Sequence, residues 1–157
     1  LVGIGTAVLA ITVVAAGFFI IGSPATIRAL RFDEQRVGGL QSIQYALITY
    51  YQQKEALPST LDALNDPLSS FMVPVDPETG AAYRYEKTGD LSFTLCSTFT
   101  KQTPDTQGRG EFAGRDIAYY GGMGEPDENW MHGAGETCYM RTIDPDRYPL
   151  FNTTKPL

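Results

Sequence analysis

Residues 1–22 read LVGIGTAVLAITVVAAGFFIIG, and residues 25–55 read ATIRALRFDEQRVGGLQSIQYALITYYQQKE. The reading of these two runs decides the fold. The first carries no charge, and its only polar side chains are Thr6 and Thr12. At about 1.5 Å per helical residue it is long enough to cross the roughly 30 Å of a bilayer's hydrocarbon core. Threonine hydroxyls can bond back to a helix backbone, and membrane helices tolerate glycines such as Gly3, Gly5, Gly17 and Gly22. A secretory signal fits less well, because the run lacks a basic lead and a small-x-small cleavage site and exceeds the usual apolar length. A buried core helix also fits less well, since the remaining chain is too small to enclose one. The expectation is a membrane-spanning helix over 1–22. The absence of an initiator Met is expected to reflect processing or a longer parent chain. Arg28, Arg31 and Arg36 would place the downstream domain on the inner side by the positive-inside rule; the cysteine pair, Cys96 and Cys138, argues for the outer side.

The second run is a helix by its spacing. Leu30, Val37, Leu40, Leu47 and Tyr51 recur at helical intervals, joined by Ile27, Ile43, Ile48 and Tyr50, with Gln44 as an interruption. Ser23 and Pro24 suit its start. Gly38 and Gly39 each weaken a helix by about 1 kcal/mol relative to Ala, and they permit a bend or a close approach. Before them the helix is charged, which reads as a stalk over 23–39. After them it is rich in Ile, Leu and Tyr, which reads as the start of a globular domain over 40–157. The heptad pattern is too short and broken for a coiled coil.

Beyond Pro58, Ser59-Thr60-Leu61-Asp62 reads as a capping box opening a short helix over 60–64. Asp76-Pro77-Glu78-Thr79-Gly80 is a turn. A hairpin comes next, with strands over 82–87 and 91–99 around Thr88-Gly89-Asp90. Leu91, Phe93, Leu95 and Phe99 share one side, expected to pack on Ile43, Leu47 and Tyr51; Cys96 points to the other. Residues 100–115 and 121–135 read as loops, 117–120 as a short strand, 137–143 as the last strand, and the proline-containing tail as irregular. The fold class is thus α+β, a long N-terminal helix on a small antiparallel sheet.

The composition is that of a globular protein, 43% hydrophobic and 19% charged, with nine tyrosines and eight phenylalanines for an aromatic-rich core. A formal charge of -6 argues against nucleic acid as a partner. Cys96 and Cys138 are the only cysteines. A pair in a small domain outside the cytosol is most simply a disulfide, although two separate buried thiols would give the same count. Their spacing suits neither a CxxC redox motif nor a metal knuckle.

Taken together, Ile43-x-x-Ala46-Leu47-x-x-Tyr50-Tyr51, Leu57-Pro58-Ser59-Thr60-Leu61, Asp76-Pro77-Glu78-Thr79-Gly80, and Tyr83 and Tyr85 entering a hairpin resemble the globular part of type IV pilins. The similarity is greatest to the major pseudopilin of type II secretion, and it extends to bacterial membrane proteins carrying such a domain. It covers residues 27 to 99 well and the C-terminal third loosely. It implies a non-catalytic, membrane-anchored extracytoplasmic module of the bacterial cell envelope. That module would assemble with itself or with other pilin-like subunits through the N-terminal helix, or form an extracellular filament. The acid that such helices carry within the apolar run is absent here, which favours the bilayer over a fibre core for 1–22.

The resemblance also implies a calcium ion in the C-terminal loop. Glu125, Asp127, Glu128 and Asn129 lie close together there beside Trp130, with Asp116 as an outlying candidate, and oxygen donors on a loop suit calcium. The same residues read equally as solvated turn acids. His132, with Glu136 and Cys138, can be drawn as a nucleophilic site oriented by Asp127 or Glu128; a bridged Cys138 removes the thiol and leaves His132 as a loop hydrogen-bonder. Besides assembly, the sequence accommodates a ligand-binding or sensing domain with or without calcium, and a small hydrolase using paired carboxylates, for which no pair stands out. The glycines at 108, 110 and 114 do not form a phosphate loop.

Overall fold

A computed structural model describes residues 3, 5, 6, 9–13, 24–65, 71–103 and 129–151. Helix α1 spans Pro24–Lys54, and a short 3-10 turn comes after it at Leu61–Leu64. The strands are β1 at Arg84–Lys87, β2 at Ser92–Phe99 and β3 at Gly135–Thr142. They form an open antiparallel sheet in the order β1-β2-β3. The expected strand over 117–120 lies outside the described residues.

Helix α1 stops where Glu55 enters the left-handed region at φ 60 while its N–H still donates to Tyr51 O. The apolar stripe after Gly39 is buried as its spacing requires: Leu40, Ile43 and Leu47 are fully inaccessible. They meet Phe93, Leu95 and Phe99 from the inner face of β2, together with Tyr51, Tyr83 and Tyr139. A fully buried side chain of this kind stabilises by roughly 1.5–3 kcal/mol, so this helix–sheet contact is the main apolar source of stability. Gln44 interrupts the stripe for a reason: its Oε1 accepts from Arg141 Nε at 3.1 Å, tying the helix to β3. The chain after β3 returns to the end of α1, where Phe151 N–H donates to Gln52 O and Gln52 Nε2 donates to Pro149 O.

The first half of α1 is also docked. Asp33 and Arg36 are 2% and 3% exposed. Arg36 donates to Asp33 Oδ1 and Thr100 Oγ1 through Nη1, to Asp76 Oδ2 through Nε, and to Asp76 Oδ1 and Glu78 Oε2 through Nη2. Asp33 also accepts the backbone N–H groups of Thr100 and Lys101. Asp76 accepts those of Glu78 and Thr79, and Gly80 at φ 71 closes the turn. Helix, turn and the end of β2 are joined at one guanidinium.

Several expectations are corrected. No helix among the described residues is long and apolar enough to cross a membrane. Helix α1 is long enough but too polar, with Arg28, Arg31, Asp33, Glu34 and Arg36 before Gly38 and Gln41, Gln44, Gln52 and Gln53 after it. The transmembrane part of the expected fold, the bilayer and helix-mediated subunit contacts, the envelope or filament placement, and the membrane-anchored assembly role lose the helix on which they rested. The expected capping box is replaced by a 3-10 turn with Thr60 at its N-cap and no side-chain cap bond.

These contacts set the expected behaviour of several variants. Tyr83 Oη is buried without a hydrogen-bond partner and lies against Gly39, where an added Cβ would come within 2.8 Å of it. Tyr83→Phe should therefore leave stability unchanged or raise it by up to about 1 kcal/mol, while Gly39→Ala should cost about 1–3 kcal/mol, both read from urea unfolding. At the buried cation, burial alone would push the Asp76 carboxyl up, but the Arg36 guanidinium and the N–H groups of Thr79 and Glu78 outweigh it and hold it well below the usual carboxylate range. A depressed folded value means stability that is present above the unfolded pKa of about 4 and is lost as pH falls below it. Asp76→Asn should flatten that acid limb, and Arg36→Ala should cost about 3–5 kcal/mol at neutral pH by stranding buried carboxylates.

Candidate functional site

Strand alternation sends Phe93, Leu95 and Phe99 inward and Cys96 to the opposite face. The register aligns Arg84 with Cys96 and Cys96 with Cys138, so three chemically active side chains form one row across all three strands. The two cysteines are joined, with Cα atoms 4.1 Å apart and a sequence separation of 42. The Arg84 guanidinium donates from Nη2 to both sulfurs, at 3.3 Å each. Its Nη1 pairs with Glu136 Oε1 at 3.2 Å. Glu136 lies two residues before Cys138 and so shares its face, and it places a carboxylate oxygen within 4.8 Å of both sulfurs.

Exposure is uneven along the row. Cys96, flanked by Arg84 and Cys138, is 3% exposed, whereas Cys138, Arg84 and Glu136 are exposed. An exposed sulfur beside a fixed cation is the setting in which a thiolate is stabilised and a disulfide is open to exchange. The group Cys96, Glu136 and Cys138 is a donor set that could hold a metal ion. Thiolate is the ligand form of cysteine, so that capacity belongs to the reduced state. The set is two sulfurs and one oxygen, and nothing in it selects calcium.

The expected calcium ligands Glu125, Asp127, Glu128 and Asp116 lie outside the described residues. Asn129 is described and is engaged within the chain: its Oδ1 accepts Met131 N–H and its carbonyl accepts Arg141 Nη2. Trp130 beside it lies under the Arg141 guanidinium, 4.6 Å from the ring centroid, and 4.7 Å from the Tyr139 ring. His132 is not brought to the sulfurs. Its ring stacks on Phe99 at 3.7 Å, on the inner face, and its backbone exchanges hydrogen bonds with Thr103. A Cys–His nucleophile is therefore not assembled.

Two features escape sequence reasoning. Arg84 carries no signal in the residue string, and only the three-strand register reveals that it touches both sulfurs. The carboxylates of Asp33, Asp76 and Glu78 converge on Arg36, and the signal available is Asp33-x-x-Arg36 at helical i,i+3 spacing. Each of these carboxylates already holds protein donors, which assigns the cluster to the scaffold. For the disulfide, a closed loop of this length stabilises by about 4 kcal/mol on the chain-entropy argument. Reduction should lower the urea-unfolding free energy by an amount of that order, with the native circular dichroism spectrum retained because the core lies on the other face.

No protein-family model matches the chain, and no curated protein or solved structure matches it either, so none of these comparisons supports the pilin resemblance drawn from residues 27–99.

Proposed function

We propose that the chain is a small ligand-binding and sensing domain whose sensing element is the outer face of its sheet. In the reduced state Cys96, Cys138 and Glu136 bind a thiophilic metal ion; in the oxidised state the disulfide abolishes the site. The observation that carries this reading is the convergence of both sulfurs and the Glu136 carboxylate within 4.8 Å on an exposed, rigid surface.

The donor chemistry narrows the ion. Calcium takes six to eight oxygen ligands, which this set does not offer. Two thiolates and a carboxylate suit zinc and softer ions, with metal–sulfur distances of about 2.3 Å and metal–oxygen distances of about 2.0–2.2 Å. Three protein donors also leave a position for an exogenous ligand. Arg84 acts against the metal twice, since its charge opposes a cation and its Nη1 holds Glu136. Removing that cation should favour metal binding. The calcium expectation concerns residues elsewhere in the chain and does not bear on this set.

The test is titration of the phosphine-reduced protein with zinc, and with cobalt as a spectroscopic probe. One ion per chain should bind in the reduced state, with thiolate charge-transfer absorption for cobalt, and none at this face in the oxidised state. Glu136→Gln should weaken binding by about tenfold, equivalent to about 1.4 kcal/mol, and Arg84→Ala should tighten it by a similar factor. A reduced, folded protein with two titratable thiols and no bound ion would overturn the proposal.

A further inference from the structure

The oxidised row has a chemistry of its own that needs no metal. We infer that Cys138 is a site of reversible S-thiolation, at which a low-molecular-weight thiol opens the Cys96–Cys138 bond with one regiochemistry.

Thiolate attack on a disulfide proceeds in line with the sulfur–sulfur bond, from the side opposite the leaving sulfur, because the accepting antibonding orbital lies on that axis. An attack on Cys96 Sγ must therefore come over β1. On that side β1 pairs with β2, and Arg84 is the register partner of Cys96. Cys96 is also 3% exposed. An attack on Cys138 Sγ comes instead from beyond β3, the outer strand of the sheet; among the described residues no strand lies outside it, and Cys138 is exposed. Access and approach both select Cys138.

Arg84 assists the exchange without choosing between the sulfurs, since its Nη2 donates to both, so access sets the regiochemistry and the cation adds rate. When a small thiolate bonds to Cys138 Sγ, the Cys96–Cys138 bond breaks and its electron pair departs on Cys96 Sγ. The small thiol is oxidised to one half of a mixed disulfide, and Cys96 is reduced to a thiolate. Arg84 Nη2 already donates to that sulfur, so the new charge forms beside a positioned cation and leaves more readily. Two fates balance. The Cys96 thiolate can return to Cys138 and expel the small thiolate, restoring the starting state. A second small thiolate can take the first as a symmetrical disulfide, leaving Cys138 as a thiolate and the chain fully reduced. Arg84 is thus a positioning residue for the exchange.

The experiment uses the oxidised full chain and glutathione. After brief incubation and an acid quench, proteolysis and mass spectrometry locate the adduct. Glutathionylated Cys138 should exceed glutathionylated Cys96 by about tenfold or more, with Cys96 as a free thiol in the same molecules. In Arg84→Ala the rate should fall while the preference for Cys138 is kept, with circular dichroism confirming the fold; Arg84 is a surface side chain. In the urea-unfolded oxidised chain the two sulfurs should react comparably. An even or Cys96-dominated adduct in the folded wild type, or an undiminished preference in urea, would overturn the inference. Metal titration of phosphine-reduced protein involves no exchange step, so failure of one proposal is distinguishable from failure of the other.

Discussion

The side chain on which the architecture turns is the Arg36 guanidinium. A guanidinium presents five N–H donors in a fixed planar fork, and here all five have acceptors on Asp33, Asp76, Glu78 and Thr100. These acceptors come from the helix, the turn before the sheet and the residue after β2. A planar fork satisfied on all sides sets the positions of its partners as well as their presence. The apolar contact of Leu40, Ile43 and Leu47 with Phe93 and Leu95 supplies most of the stabilisation, but apolar packing alone would tolerate some sliding of helix over sheet. The ion network removes that freedom. Buried ion pairs are poor sources of net stability and are better understood as fixing one arrangement among several.

A sheet with one face against a helix leaves the other free, and strand alternation divides the side chains between the two. The inner face holds the aromatic core and the stacked His132. The outer face holds Arg84, Cys96, Cys138 and Glu136. The sulfurs are therefore set on the face opposite the aromatic packing, and the backbone of three hydrogen-bonded strands holds the row in place. The bridge joins strands that are already register partners, so opening it leaves their pairing to the ladder.

The sequence discloses the packed part of the molecule well. Leu40, Ile43, Leu47 and Tyr51 recur at helical spacing, and Phe93, Leu95 and Phe99 alternate, because burial of one face imposes a period that survives in the residue string. The cysteine pair is legible from its count and spacing. The charged half of α1 is not: Asp33 and Arg36 look like a solvated face until Asp76, some forty residues on, is placed against them. Arg84 is illegible for a related reason, since its contact with the sulfurs depends on β1 and β3 flanking the same strand, and register is a three-dimensional quantity. The apolar run at 1–22 is the reverse case. Composition there suggests a bilayer helix, while no helix among the described residues is long and apolar enough to cross a membrane and α1 is too polar.

Trp130 is the chain's one tryptophan, and it lies partly buried at a junction. Arg141 covers its ring, Tyr139 stands beside it, and the same Arg141 reaches across to Gln44 on the helix. A fluorophore held under a guanidinium has an emission that depends on that cation staying in place. The molecule therefore carries a single native optical reporter of whether the third strand is seated on the helix, with no label required. Local loosening of β3 would register there even while the distant Arg36 network held the rest of the fold.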